Sequence, residues 1–287
     1  MLTLLLAATV AAAAAAALLT TVAAQIWAAG RRIVRINRGR GRGIIARSGR
    51  YQPAMQPEND VEPLVLGIMG DSLAAGLGAT SAAATPSALL GQALADRHGR
   101  PVRVVNVARV GSGARDLASQ HQRLIKAMGP TGRIPDLVVV VTGANDVMPV
   151  PVRLKTAARR LSETVADLNS RGAHVVVATC PALAAVTALP RPARTLLHAA
   201  GLRLARLQRE QTRRTGGSTV LLHREVSPAI AADPTLLADD GFHPGDRGYA
   251  LAADKLLTAL AALPDRTAEP SQNPGSDLRP LSAGQPN

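Results

Sequence analysis

Five short runs of Val, Leu and Ile alternate with five helix-compatible stretches, and this alternation constrains the fold of the 287-residue chain more than any other feature. The apolar runs are Leu64–Met69, Val102–Val107, Leu137–Thr142, His174–Thr179 and Thr219–Leu222. Runs this short and this uniformly apolar fit strands buried on both faces. Between and after them, Pro86–His98, Ala114–Met128, Val152–Arg171, Ala193–Arg214 and Asp246–Ala262 show helical spacing. Strand and helix in strict alternation predict an α/β domain, a parallel sheet with helices on both faces. In such sheets ligands bind outside the carboxyl ends of the strands. Functional residues should therefore follow the apolar runs directly.

They do. Asp71 and Ser72 end the first run, in "LGIMGDSLAAGLGA", where the small residues Ala74, Ala75, Gly76 and Gly78 are read as leaving room beside Ser72 for a substrate. Gly111 follows the second run in "NVARVGSG", Asn145 and Asp146 follow the third in "VVVTGANDV", and Asp240 and His243 follow the fifth in "LADDGFHPGDRGYAL". A serine hydroxyl needs a base to become a nucleophile, and His243 is the candidate. Asp240, three residues earlier, can accept the imidazole Nδ1–H and fix its tautomer; Asp239 is the less well spaced alternative. Asp71 and Asp146 are read as turn caps.

The four blocks, Gly70-Asp71-Ser72-Leu73, Gly111, Gly143-Ala144-Asn145-Asp146 and Asp240-Gly241-Phe242-His243, come in the order found in the SGNH, or GDSL-type, hydrolases, and the chain from about Leu64 to Leu260 resembles that superfamily of esterases and lipases. The resemblance implies a three-layer α/β/α sandwich with a five-stranded parallel sheet in flavodoxin-like order. It implies Ser72, Asp240 and His243 as catalytic residues. It also implies an oxyanion hole from the Ser72 and Gly111 backbone N–H groups and the Asn145 side-chain amide. The expected reaction is acyl-ester hydrolysis through an acyl-enzyme, on a lipid or small-molecule ester, with no cofactor. Carbohydrate O-acetylester and acyl thioester hydrolysis are alternatives on the same fold, and a non-catalytic, membrane-tethered binding module is the alternative of another class. Arg109 and Arg115 flank the Gly111 block and are candidate contacts for an anionic substrate group.

Other residues fit bland readings. No metal-ligand cluster stands out, and the remaining histidines lack a comparable setting. The single cysteine, Cys180, excludes an intramolecular disulfide and reads as a buried thiol. Gly76-Leu77-Gly78 lacks the rest of a dinucleotide-binding spacing.

The flanks divide the chain. Leu2 to Ala29 carries no charged side chain and exceeds the roughly 20 residues that span a bilayer, so residues 1–30 are expected to be a transmembrane anchor or signal segment. Val22-Ala23-Ala24 would pass as a signal cleavage site, which would export the domain. The arginines all follow the apolar stretch, however, and the positive-inside rule then favours an uncleaved anchor with a cytoplasmic domain. Of the 33 basic residues, eight arginines lie between Arg31 and Arg50 with no acid among them, so much of the +13 net charge is one short run. We read it as flanking a membrane; no nucleic-acid partner is expected, and an aromatic content of 1% also argues against a base-stacking surface. Residues 31–63 are an arginine-rich juxtamembrane segment and linker, the linker reading resting on the prolines of Tyr51–Pro63. Residues 64–263 form the hydrolase domain, and 264–287 form a tail too polar and proline-rich to fold.

Overall fold

The structure is a computed structural model that describes residues 1–38, 45–55, 61–130, 133–148 and 153–261. The tail assigned to 264–287, its boundary at 263, residues 56–60 of the proline-containing linker and the start of the helix at Val152 lie outside the described residues. The strands are β1 (Gly49–Tyr51), β2 (Leu64–Gly70), β3 (Val102–Asn106), β4 (Leu137–Val141), β5 (His174–Ala178) and β6 (Ser218–Val220). The long helices are α1 (Leu2–Asn37), α2 (Pro86–His98), α3 (Leu117–Met128), α4 (Leu154–Ser170), α5 (Ala193–Arg214) and α6 (Asp246–Ala261).

The sheet order is β1-β3-β2-β4-β5-β6, and β2 to β6 are parallel. The five parallel strands have the expected flavodoxin-like order. The sheet nevertheless has six strands rather than five, because β1 adds an antiparallel edge on β3, pairing Gly49 with Val104 and Tyr51 with Val102. Three residues, Gly-Arg-Tyr, are too few to show alternation, which is why the strand was not legible and why Tyr51 fell into the linker. Its place is fixed from outside: a Cβ on Gly91 of α2 would stand 2.4 Å from the Tyr51 ring, so the missing side chain at Gly91 is what lets that ring pack.

Alternation along each strand builds two layers. Leu64, Leu66 and Ile68 of β2, with Val139 and Val141 of β4 and Val176 of β5, join Leu90 and Leu94 of α2 and Leu256 and Leu260 of α6. Val65 and Met69, with Val138, Val140, Val175 and Val177, join Leu117 and Leu124 of α3 and Leu161 and Val165 of α4. Every residue of β2 and β4 is buried, as their uniformly apolar sequences require.

Two buried glutamines clamp the strand ends that carry the polar residues. Gln120 of α3 accepts from the Gly70 N–H at 2.7 Å through Oε1 and donates to the Gly70 carbonyl at 2.8 Å through Nε2. Gln208 of α5 accepts from the Cys180 N–H at 2.8 Å and donates to the Thr142 carbonyl at 3.0 Å, tying β5 to β4 just past their last residues. Gly70 itself has φ 134°, and a Cβ there would stand 1.9 Å from the Val141 carbonyl oxygen, so only glycine lets the chain turn out of the sheet at this point. Replacing Gln120 by leucine takes away the partner of the buried Gly70 N–H, while the Gly70 carbonyl keeps the Arg109 N–H at 3.1 Å. Gln120→Leu is expected to lower stability by about 1–3 kcal/mol in denaturant titration, the cost of an unsatisfied buried donor.

Candidate active site

Ser72 begins a single helical turn, Ser72–Ala75, immediately after β2. Asp71 caps that turn by accepting the Leu73 N–H at 2.9 Å through Oδ1, the role read for it from sequence. Gly76 ends the turn in the left-handed region, at φ 83°. From the far end of the domain, the segment before α6 returns to the same place. His243 Nε2 lies 2.8 Å from Ser72 Oγ, and His243 Nδ1 lies 2.6 Å from Asp240 Oδ2. Asp240, not its neighbour Asp239, therefore faces the imidazole.

The Asp240 carboxylate is saturated with donors. Oδ1 accepts the backbone N–H groups of Phe242 and His243, each at 2.9 Å, which folds the Asp-x-x-His segment into a tight turn. Oδ2 accepts from His243 and from the side-chain amide of Asn37. An ionised carboxylate can only accept, so the imidazole proton is on Nδ1 and Nε2 is left to accept from the Ser72 hydroxyl. The three residues are nearly inaccessible, Ser72 at 5%, His243 at 3% and Asp240 at 1% of their exposed area, so the chain of hydrogen bonds is shielded from bulk water. Burial would raise the Asp240 carboxyl, but the hydrogen bond and charge of His243 outweigh it and hold the group below the ordinary carboxylate range. The arrangement can move a proton from the Ser72 hydroxyl to the imidazole and stabilise the imidazolium that results.

The candidate oxyanion donors come from the Ser72 turn and from two neighbouring loops, those of Gly111 and Asn145. Neither the Ser72 nor the Gly111 N–H meets an acceptor among the described residues. Gly111 has φ 82°, and a Cβ there would meet nothing within 4 Å, so its conformation demands glycine while its surroundings are open. Asn145 donates one amide hydrogen to the Ser112 carbonyl at 2.8 Å, which fixes the amide and leaves its second hydrogen unused. Asp146 fastens the two loops together by accepting the Ala114 N–H at 2.9 Å through Oδ1. Burial raises its carboxyl against the pull of that bond and of Thr142. Asp146 thus has a structural role, but as a clasp between two loops rather than the turn cap read from sequence. Arg109 and Arg115 are exposed on the Gly111 loop, and Arg115 lies 3.6 Å from Asp116. Neither touches the Ser72–His243–Asp240 chain.

The small residues after Ser72 serve a different purpose from the one expected. Ala74 and Ala75 are buried in the core, not beside open space. At Gly78 a Cβ would stand 2.4 Å from the Pro244 carbonyl oxygen and 3.0 Å from His243 Cβ. Gly78 is thus small so that the serine loop can close on the histidine loop, whereas Ala74 and Ala75 are small because they pack in the core.

Several contributors gave no sequence signal, because they act across long separations from ordinary positions. Asn106 at the end of β3 donates to the Ala74 carbonyl and to Ser87 Oγ. The buried Tyr249 hydroxyl donates to the Leu77 carbonyl at 2.7 Å. Asn37 belongs to α1, 203 residues from the carboxylate it meets. Cys180 is fully buried and its thiol is pushed up by burial, so it is no rival nucleophile. Among the described residues, no group of three or more His, Cys, Asp or Glu side chains could hold a metal.

Burial also pushes the Asp71 carboxyl up to about 7. The folded state then holds a proton that the unfolded chain has released, so this site lowers stability progressively as pH rises from about 4 to about 7. An asparagine keeps the acceptor for the Leu73 N–H and removes the charge. Asp71→Asn is expected to be more stable than the parent at pH 8, by about 2–4 kcal/mol, with the gap closing towards pH 4 in thermal denaturation.

Comparison with known proteins agrees with this geometry. The family model described as GDSL-like Lipase/Acylhydrolase matches residues 68–251. The GDSL-like esterase Rv1075c of Mycobacterium tuberculosis is 40% identical over 194 residues, covering 67% of this chain and 60% of that protein, so the matched region leaves about two-fifths of the relative outside it. A mutant of the Geobacillus acetyl-xylooligosaccharide esterase Axe2 has the same fold with a TM-score of 0.53 and 21% identity, over 68% of this chain and 93% of that one. A member of the lipolytic G-D-S-L family from Veillonella parvula superposes with a TM-score of 0.56 at 14% identity, over 69% and 99% of the two chains. With the Gly-Asp-Ser-Leu block, the Gly111 and Asn145 loops and the Asp-x-x-His turn at one edge of a flavodoxin-like sheet, this chain belongs to the GDSL-like lipase/acylhydrolase family.

Proposed function

We propose that the protein is a membrane-anchored serine esterase that hydrolyses acyl esters through a covalent acyl-enzyme. The observation that carries this reading is the continuous chain from Ser72 Oγ through His243 to Asp240, with steps of 2.8 and 2.6 Å in a buried setting. Ser72 attacks the ester carbonyl while His243 Nε2 takes its proton. The developing oxyanion is met by the Ser72 and Gly111 N–H groups and the remaining Asn145 amide hydrogen, groups already oriented before substrate arrives. The imidazolium returns its proton to the departing alcohol. Water then enters, is deprotonated by His243, and releases the acid. Asp240 keeps the imidazole in the required tautomer throughout. Arg109 and Arg115, exposed on the Gly111 loop, are the proposed contacts for an anionic part of the substrate.

The anchor reading is supported by how α1 divides. From Leu2 to Thr21 the helix is exposed along its whole circumference and uncharged, about 20 residues and so ~30 Å, the thickness of a bilayer's hydrocarbon core. Beyond it, Trp27 carries the Arg31 guanidinium 4.7 Å from its ring centre, a pairing suited to the membrane–water boundary. An enzyme held there meets lipid esters directly, which favours lipid or apolar acyl substrates over sugar acetates. The scarcity of aromatic side chains, which stack on sugars, points the same way.

The test is hydrolysis of p-nitrophenyl esters from acetate to laurate by the full chain in detergent micelles. Ser72→Ala is expected to lower kcat at least 10³-fold. Asn145→Ala, which removes one oxyanion donor, is expected to lower kcat about 10²-fold with little change in KM. Activity retained in Ser72→Ala would refute the catalytic reading. Activity confined to acetylated sugars would refute the substrate class.

A further inference from the structure

The docked half of α1 does more than attach the helix to the domain. Val22, Gln25, Ile26, Ala29, Ile33 and Asn37 recur at helical spacing on the less exposed side of α1. Ala29 is buried in the cluster that contains Phe242, the residue next to His243, and Ile26 and Ile33 pack against that cluster. Gln25 locks the register, donating to the Arg191 carbonyl at 2.7 Å and accepting from the Ala193 N–H at 3.0 Å. One turn beyond Ile33, the stripe ends on Asn37. Its Nδ2 donates to Asp240 Oδ2 at 2.6 Å and to the Ile33 carbonyl at 3.0 Å. Both partners can only accept, so the amide nitrogen, with two hydrogens, is the atom that must face them.

We propose that Asn37 is a positioning residue for the reaction, a donor carried by the N-terminal helix that holds the Asp240 carboxylate against the His243 imidazole. The inference rests on the esterase reading and extends it. Asp240 Oδ2 is the oxygen that receives the imidazole Nδ1–H. A second donor on that same oxygen fixes where it stands and satisfies the lone pair that His243 leaves unused. The function of α1 thereby becomes twofold: one half is free to enter a membrane, and the other completes the site. The docked half from Gln25 onward also survives if the chain is cleaved after Ala24, so the assignment holds for an anchored or a processed protein. Measured along the helix axis from Thr21, Asn37 stands about 24 Å further on, which sets the height of the site above a membrane surface.

The experiment compares Asn37→Ala, Asn37→Asp and Arg35→Ala with the parent and with Ser72→Ala, all as full chains in detergent micelles. Arg35 is exposed one turn or less from Asn37 and serves as the control for the helix itself. Asn37→Ala is expected to lower kcat about 10-fold with KM unchanged, and Arg35→Ala to match the parent. Asn37→Asp keeps the side-chain shape and sets a second carboxylate against Asp240. The added negative charge stabilises the imidazolium, so the acid limb of the kcat/KM profile is expected to move to higher pH. Parental kcat in Asn37→Ala would overturn the proposal. So would equal losses in both Asn37 variants with the parental pH profile, since loosened docking alone would produce that pattern. If Ser72→Ala retains activity, it is the esterase reading that fails, and the two failures are therefore separable.

Discussion

A carboxylate removed from water is stable only when other groups replace its solvent, and Asp240 illustrates how completely this can be done. Four donors meet its two oxygens: two backbone N–H groups, an imidazole and an amide. Without them the group would be neutralised and the imidazole tautomer would be free to change. The backbone pair shapes the Asp-x-x-His turn. That turn directs His243 back across the sheet edge to Ser72, 171 residues earlier in the chain. The glycine at position 78 and the glutamine clamp at Gly70 then serve one end: they allow and hold the close approach of the first and last segments of the domain. The geometry of the candidate site is thus a consequence of how one buried charge is solvated.

The parts of the fold governed by repetition were legible in the sequence. Four of the five parallel strands are long and apolar enough for burial to leave a pattern, the three-residue β6, with only Val220 buried, was legible through the apolar residues Leu221 and Leu222 that follow it, and the helices between the strands keep helical spacing over many residues. The four polar blocks were legible because an α/β sheet exposes its carboxyl edge, and that rule gives each block a place on it. What escaped was set by tertiary contact alone. Strand β1 is only Gly49–Tyr51, and its position depends on space left at Gly91. Gln120, Gln208 and Asn106 look like any polar residue near a helix or strand end. Gly78 reads as room for substrate because the sequence does not say which neighbour approaches a small residue, and the structure puts His243 and Pro244 there. Asn37 sits among arginines at the end of an apolar helix, a setting that signals only membrane proximity.

The N-terminal helix joins these two levels. Its apolar half has the length of a bilayer span and its docked half ends on the candidate site, so, on the anchored reading we propose, a single rigid element would relate the membrane plane to that site. Rigidity comes from helical continuity through Gly30 and from the Gln25 contacts, and neither depends on the fate of the first 24 residues. The same layout explains why the arginine run is split. Arg31, Arg32 and Arg35 extend α1 beyond the apolar segment, where they remain exposed.

The most direct test of the central claim is covalent labelling of the full chain with a fluorophosphonate, which reacts with a serine only when a neighbouring base activates it and an oxyanion site accepts the phosphoryl oxygen. Peptide mapping by mass spectrometry identifies the modified residue. The account predicts one phosphonyl adduct, on Ser72, formed rapidly in the parent and lost in His243→Ala. An adduct on another residue, or Ser72 labelling unaffected by removal of His243, would contradict it.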